Sequence, residues 1–380
     1  MQKRICIISQ YYPDENDMIL SFVDQLICQF ADMGYKCDVI TPVSIFEQNH
    51  IMKSRVRRTK KGNTINIWCP KYVSVPHRII AGFDTYRITM KNFFNAVYHT
   101  YRQHIKSCDA IYSHFINPSG ICAALLSQKT GIDAFVACGE SSFDSEMFAI
   151  KLYNDILQKN LSGIISVSSE IKRTLIEMDI IYDSSQIQII PNAVDFSEFP
   201  NVDKKQLRQE FGLCENDYVV SFVGHFIERK GLPELLSAAE LSKGSWKCIF
   251  IGQGPIGINY TNTLYSGPVS HADLYKYLEV SDVFVLPTKA EGCCNAIIEA
   301  MACGLPIVSS NLPFNDDILD ETFSIRIDPN DVLQIYNAVN SLKETGLRNQ
   351  MSLMAKMESG KYKIEKRAET ILSFMGLRKE

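Results

Sequence analysis

Two glutamates with seven residues between them, Glu291 and Glu299, straddle the start of a helix. Before them runs Ser281-Asp282-Val283-Phe284-Val285-Leu286-Pro287, an apolar strand with a proline stop. After Glu299 the helix ends at Gly304, with Pro306 behind it. In an open α/β sheet, ligands bind where the carboxyl end of a strand meets a helix N-terminus. Amides around Gly292, Cys293 and Cys294, together with the helix dipole, suit a diphosphate. Gly292 lets the backbone come close. Glu299, about a turn into the helix, offers two acceptor oxygens to a ribose diol. Glu291 stands where sugar hydroxyls beyond the phosphates would lie. Taken singly, Glu299 also reads as a surface helix residue and Glu291 as a loop charge.

A second group supplies the opposite sign. Phe222-Val223-Gly224-His225-Phe226-Ile227-Glu228-Arg229-Lys230-Gly231 takes a strand through a glycine into a basic pair and a helix. Arg229 and Lys230 at a strand's carboxyl end can neutralise a pyrophosphate leaving group. The alternative is an exposed turn. Gly252-Gln253-Gly254-Pro255-Ile256-Gly257 matches the GxGxxG spacing, but a dinucleotide fingerprint must open a helix in the first βα turn. Ile258–Asn262 does not continue a helix, so nicotinamide binding is not expected.

The elements that must hold these groups alternate. Arg4–Ser9, a helix over about 19–33 and Cys37–Thr41 form a βαβ unit. Further strands are expected at Ala110–Ser113, Ala134–Ala137, Gly163–Val167 and Ile187–Ile190. After Pro191-Asn192 the rhythm restarts with strands Tyr218–Val223, Lys247–Ile251, Val283–Pro287 and Pro306–Ser309. Helices Pro233–Ala239, Leu274–Val280 and Ala296–Cys303 lie between them. The tail over Asp331–Leu342 and Ile364–Phe374 is helical. Nearly continuous apolar strands mean parallel sheets covered on both faces, hence an α/β chain of two Rossmann-like domains. A helix over Tyr86–His104 would place Phe93, Phe94, Val97, Tyr98 and Tyr101 in core contacts.

Composition sets limits. In 380 residues, 39 Lys and Arg against 43 Asp and Glu give a net charge of −4, which argues against a nucleic-acid binder. The five-residue apolar run after Arg4 is too short for a secretory leader, and no stretch is long enough to span a membrane. A cytoplasmic protein is expected. The 12 cysteines show no CxxC spacing, so buried thiols fit better than a zinc site. Residues 53–61 carry six basic side chains in nine. They read as a charged edge strand and turn, or as a patch facing anionic lipid or an acceptor diphosphate.

Together these pieces resemble the family 4 glycosyltransferases of GT-B fold. The family's Glu, seven residues, Glu signature is matched by Glu291 and Glu299. Its PNxVD turn is matched at Pro191–Asp195, its strand–Gly–basic–Gly element at Val223–Gly231 and its GxGP loop at Gly252–Pro255. The resemblance is dense from Ile190 to Ser310 and thin before it. It implies domains at 1–190 (acceptor side) and 191–361 (donor side) facing across a cleft, with 362–380 returning to the first. It also implies a retaining, metal-independent hexosyl transfer from a nucleotide sugar to a saccharide or lipid-linked saccharide, in surface polysaccharide synthesis, with no cofactor. Glu291, Arg229 and Lys230 would be catalytic. Gly224, Val269, Gly292, Cys293, Cys294 and Glu299 would bind the donor, Val269 lying near the base.

The chain also departs from the family. His225 replaces the usual Arg after the phosphate-loop glycine, with Arg229 expected to take over that charge. The N-terminal glycine-rich loop is replaced by Tyr11–Met18. Cys138-Gly139-Glu140-Ser141 stands where a His-Gly loop is usual. Asp14, His114 and Glu140 are the acceptor-side candidates, although His114 also reads as a buried core histidine and Glu140 as a capping carboxylate. An epimerase or phosphorylase of the same architecture, or a non-catalytic sugar-nucleotide-binding protein, remains an alternative. Peripheral membrane contact through 53–61 at the inner membrane face is a further expectation.

Overall fold

The computed structural model describes residues 2–13, 21–46, 54–181, 183–200 and 202–378. Asp14 and Lys53 lie outside the described residues. The chain divides into two compact units, Met1–Ile190 with Ile364–Glu380, and Pro191–Lys363.

The first unit holds β1 (Arg4–Ser9), α1 (Ser21–Asp32), β2 (Lys36–Ile40), β3 (Arg55–Arg58), β4 (Thr64–Trp68), a small hairpin of β5 (Ile79–Ile80) and β6 (Phe83–Asp84), and α2 (Tyr86–Thr100). It continues with β7 (Ala110–His114), α3 (Ile121–Thr130), β8 (Ala134–Cys138), α4 (Met147–Asn160), β9 (Gly163–Ser166), α5 (Ser169–Glu177) and β10 (Ile187–Ile189). Eight strands form one sheet in the order β10-β9-β8-β7-β1-β2-β4-β3. All are parallel except the edge pair β3–β4. The apolar runs become central strands because both faces are covered: Ile5 to Ile8 and Ala134 to Cys138 are almost wholly buried.

The 53–61 stretch takes the edge-strand form. Arg57 turns inward to the Asp24 carboxylate, and Arg55 donates to Pro13 O at 2.8 Å. Helix α2 stops at Thr100 and continues as one wider turn over Tyr101–Ile105. Phe93, Val97 and Tyr101 are buried, but Phe94 and Tyr98 are only half-buried. These two correct the expected core stripe: their rings stack on each other, 5.7 Å apart, at the edge of the helix.

The second unit contains α6 (Lys204–Glu210), β11 (Val219–Val223), α7 (Leu232–Leu241), β12 (Lys247–Ile251), β13 (Thr263–Gly267), α8 (Leu274–Glu279), β14 (Val283–Leu286), α9 (Asn295–Ala302), β15 (Ile307–Ser310), β16 (Ser324–Ile327), α10 (Val332–Ser341) and α11 (Thr345–Ser359). Its six strands are parallel, ordered β13-β12-β11-β14-β15-β16. The order reverses direction between β11 and β14, so the crevice at their carboxyl ends is the switch point where such sheets bind ligands.

The last helix, α12 (Ile364–Phe374), packs within the first unit. Phe374 lies edge-on to Phe135 at 5.7 Å, and Gly163 leaves the space that Phe374 fills. Lys3 Nζ and the Tyr35 hydroxyl both donate to Leu377 O, at 3.2 and 2.6 Å.

Candidate active site

The switch point of the second unit is built on glycines that nothing else could replace. Gly231, with φ +69°, ends the loop after β11, and a Cβ there would lie 2.0 Å from Pro287 O at the end of β14. Gly252, with φ +143°, would place a Cβ 1.9 Å from Gly224 O, and Gly254 would place one 2.4 Å from Phe226 O. The GxGP glycines therefore seat the loop after β12 against the loop after β11. No helix follows them, so the GxGxxG spacing is a packing device here and not a dinucleotide turn. Backbone bonds complete the join: Gly224 N donates to Ile251 O at 2.9 Å, Phe226 N to Gln253 O at 2.9 Å, and Lys289 N to Arg229 O at 2.8 Å.

On this frame Lys230 and Glu291 meet, although 61 positions separate them. They form an ion pair, each side chain 11% exposed. The Thr288 hydroxyl donates to the same Glu291 oxygen at 2.8 Å. Lys230 Cδ lies 3.6 Å from where a Cβ on Gly224 would stand. Arg229 is exposed and its guanidinium donates to Ala290 O. His225, also exposed, stands beside Gly224.

The helices of this unit differ in their caps. Asp203, Asp331 and Glu344 side chains accept from the first amides of α6, α10 and α11. Helices α7 and α9, which follow the two loops, carry no side-chain cap. Their first amides thus stay available to an anion. Gly292, Cys293 and Cys294 lead into α9 and are buried. The Asn192 amide side chain donates to Cys293 O at 3.1 Å, which fixes this turn to the Pro191–Asp195 segment. Burial pushes the Cys294 thiol up to about 12, so it stays protonated and acts as packing. All 12 cysteines are free thiols.

Glu299 is no surface helix residue, for it is only 6% exposed. Its carboxylate faces His271, whose Nε2 lies 3.0 Å from Oε1. His271 Nδ1 lies 2.8 Å from a Glu198 oxygen. Hydrogen bonds to Glu198 and Glu299 raise the imidazole to about 10, so it is a cation held between two carboxylates. The sequence did not single out His271 or Glu198. The available signal was that His271 lies two residues beyond Val269, in a loop already assigned to the donor. Val269 is half-buried there.

In the first unit, His114 is 2% exposed, at the end of β7. Burial, aided by the Arg367 charge, lowers it to about 3, so it is neutral. Its ring meets Phe22 and Phe115 edge-on. Glu140 lies just beyond β8. It accepts from Ile116 N at 2.8 Å, while its other oxygen is buried with no partner among the described residues. Burial, opposed by that amide, raises it to about 7. Phe115, between these two groups, holds φ +65°, a strained value for a non-glycine residue.

Two units, each built around a sheet with this largely parallel order, are the arrangement of the GT-B fold. Sucrose-phosphate synthase from Thermosynechococcus elongatus superimposes with a TM-score of 0.74 over 98% of both chains at 17% identity, which establishes the fold. Residues 203–358 match the family described as glycosyl transferases group 1.

The putative teichuronic acid biosynthesis glycosyltransferase TuaC of Bacillus subtilis is 27% identical over 256 residues. That alignment spans 65% of this chain and 63% of TuaC. An Escherichia coli UDP-Gal:alpha-D-GlcNAc-diphosphoundecaprenol alpha-1,3-galactosyltransferase is also 27% identical, over 64% of this chain and 68% of that enzyme.

Proposed function

We propose that this protein transfers a hexosyl group, with retention of anomeric configuration, from a nucleoside-diphosphate sugar to a saccharide or lipid-linked saccharide in the assembly of a bacterial surface polysaccharide. The observation that carries the proposal is the Lys230–Glu291 pair at the switch point, with buried Glu299 further along the same helix. The relatives' names point to polysaccharide assembly, and the E. coli enzyme's name makes a UDP-linked hexose the first donor to test.

Residue by residue, Glu299 takes the ribose diol, oriented by His271, and Val269 borders the base. The Gly224 backbone and the amides from Gly292 to Cys294 approach the phosphates. Lys230 and Arg229 balance the charge that builds on the departing diphosphate. Once Lys230 turns to phosphate, Glu291 is free to accept from sugar hydroxyls. The acceptor hydroxyl attacks the anomeric carbon from the face that the diphosphate leaves. The C–O bond to phosphate breaks, the new glycosidic bond forms, and the acceptor's proton passes to the leaving phosphate oxygen. The cationic pair and the uncapped helix termini supply the electrostatic role that a metal plays elsewhere, so we assign a metal-independent transfer. His114 is too enclosed to touch an acceptor as it stands, and one Glu140 oxygen is buried as well, so Asp14 and Glu140 are the acceptor-side groups to test. A lipid-linked acceptor places the enzyme at the cytoplasmic face of a membrane; among the described residues no helix is long and apolar enough to cross one.

A thermal-shift screen over nucleotide sugars finds the donor, since a native-state ligand raises the unfolding temperature. With that donor, Glu291→Gln and Lys230→Ala should each lower transfer by orders of magnitude while unfolding stays cooperative, and EDTA should leave the wild-type rate intact. Wild-type rates in both variants would overturn the site assignment. Donor binding without turnover over an acceptor panel would favour a binding protein instead.

A further inference from the structure

The hairpin β5–β6 breaks a rule that the rest of the first unit obeys. Neighbouring residues on a strand point to opposite faces, so a hairpin lying on a protein surface buries one of them. Here neither face is buried: Ile79 is 72% exposed, Ile80 58% and Phe83 48%. Ile80 pairs directly with Phe83, and Ala81 and Gly82 turn between them with φ +48° and +80°. Positive φ at both central residues makes the tight turn that matches strand twist.

The base of this finger is well fixed. Arg78 N donates to the Thr85 hydroxyl at 2.8 Å, Thr85 N returns a bond to Arg78 O at 2.9 Å, and the Thr85 hydroxyl donates to Pro76 O at 2.7 Å. The His77 ring stacks on Phe148 at 3.9 Å. A rigid base with an apolar tip presents the tip outward.

The charge of its own segment is one-sided, and the nearby Glu146 carboxylate, at the start of α4, is engaged by Asn117. From Lys71 to Ser107 there are six Lys and Arg and a single acidic residue, Asp84, in a chain whose net charge is −4. Asp84 is already engaged by His77 and by Tyr86 N. Arg78 adjoins the tip, and Arg87 and Lys91 are exposed on α2, with Ile88 41% exposed beside Arg87. None of Arg78, Arg87 and Lys91 has an ion-pair partner among the described residues. By contrast, two of the arginines in β3 are turned inward to Asp24 and Pro13.

We infer that the β5–β6 hairpin and the start of α2 form a membrane-docking surface for a bilayer with anionic headgroups. Ile79, Ile80 and Phe83 enter the interfacial layer, and Arg78, Arg87 and Lys91 meet lipid phosphates. Long basic side chains beside an apolar wedge suit this boundary, where the stem stays in the apolar layer and the charge reaches the headgroups. An apolar protein partner would not be served by an unpaired basic collar. The inference rests on the lipid-linked form of the acceptor proposed above and deepens it through different residues.

The test is co-sedimentation of the full-length protein with phosphatidylcholine vesicles, with and without phosphatidylglycerol. Wild type should pellet only with the anionic vesicles, and increasing salt should release it. The triple variant Ile79→Ser/Ile80→Ser/Phe83→Ser should lose binding by more than about tenfold. Arg78→Gln/Arg87→Gln/Lys91→Gln should lose about fivefold per charge removed. Arg58→Gln/Lys61→Gln, on the β3 edge, should bind as wild type.

The inference falls if wild type does not pellet, if the serine variant pellets equally, or if the serine variant turns a wild-type dimer into a monomer. The last result would make the hairpin an interface between copies. Donor-induced thermal shifts on the same variants keep the two proposals apart. Vesicle binding without a donor shift would sink the transferase assignment alone; a donor shift without vesicle binding would sink this one alone.

Discussion

Replacing His271 by glutamine should destabilise the second unit, and the size of the effect should depend on pH. The imidazole lies 2.8 Å from Glu198 and 3.0 Å from Glu299 and keeps its proton to about 10 in the folded chain. Unfolded, it would release that proton near pH ~6.5. Its folded value is raised, so its stabilising contribution is whole below pH ~6.5 and declines as pH climbs through the interval up to about 10. In that interval the folded state binds the extra proton, and the loss amounts to at most ~1.4 kcal/mol per pH unit. Near pH 7 some three units remain, which would give ~4 kcal/mol. The side chain is 25% exposed, and solvent screening reduces this to ~2 kcal/mol.

For a unit of this size that is a drop of ~4–8 °C in unfolding temperature. The assay is thermal unfolding of full-length wild type and His271→Gln from mildly acidic to strongly alkaline buffer. A donor nucleotide marks which transition belongs to the second unit. The gap between the proteins should be widest in the mildly acidic buffers below pH ~6.5, already narrowing at neutrality, and close towards pH ~10. A gap that stays constant, or no gap at all, would refute the clamped imidazolium.

Two further substitutions test the frame. Gly231→Ala must move the Pro287 carbonyl and adopt φ +69°, so it should lower stability by ~3 kcal/mol or more and abolish donor-induced thermal shifts; a midpoint within ~1 °C of wild type would contradict it. Glu140→Gln should be neutral near pH ~4 and stabilising above pH ~7, where the enclosed carboxylate, raised to about 7, is forced to ionise; unfolding midpoints that match wild type at alkaline pH would refute that enclosure.

Much of the second unit's geometry was readable because its signals are local. Buried parallel strands are runs of apolar residues with a Pro or Gly stop. Val283–Leu286, Asn295–Ala302 and Ile307–Ser310 fall within a residue of the expected bounds. What local patterns cannot carry is which distant residue faces a charge. Glu299 was legible as a ribose-facing candidate, but nothing local showed that Glu198 and His271 close over it. His114 illustrates the converse. A histidine between a strand and a helix looks available, yet here Phe22 and Phe115 enclose it. Helix α11 went unread although Glu344 caps it and Met351 and Ala355 repeat at helical spacing on its buried side. The apolar finger at 79–83 looks in sequence like any short strand; only its exposure on both faces sets it apart.

The site's labour is divided between backbone and side chains. The loops after β11, β12 and β14 are joined by glycine against carbonyl, contacts that leave no room for adjustment, so the crevice floor is set before any ligand arrives. The groups assigned to chemistry are instead held in exchangeable pairs: Lys230 with Glu291, and His271 with Glu299. Each pair keeps a half-buried charge compensated until donor binding, which matters because an uncompensated charge at such depth would cost several kcal/mol. On the proposed assignment, diphosphate would replace Glu291 as the partner of Lys230 without leaving either charge bare, since sugar hydroxyls would then reach the carboxylate. The His271 pair need not break at all, because Glu299 retains a second oxygen for the ribose. Transfer should therefore respond sharply to the Lys230–Glu291 exchange, and donor affinity chiefly to the His271–Glu299 clamp.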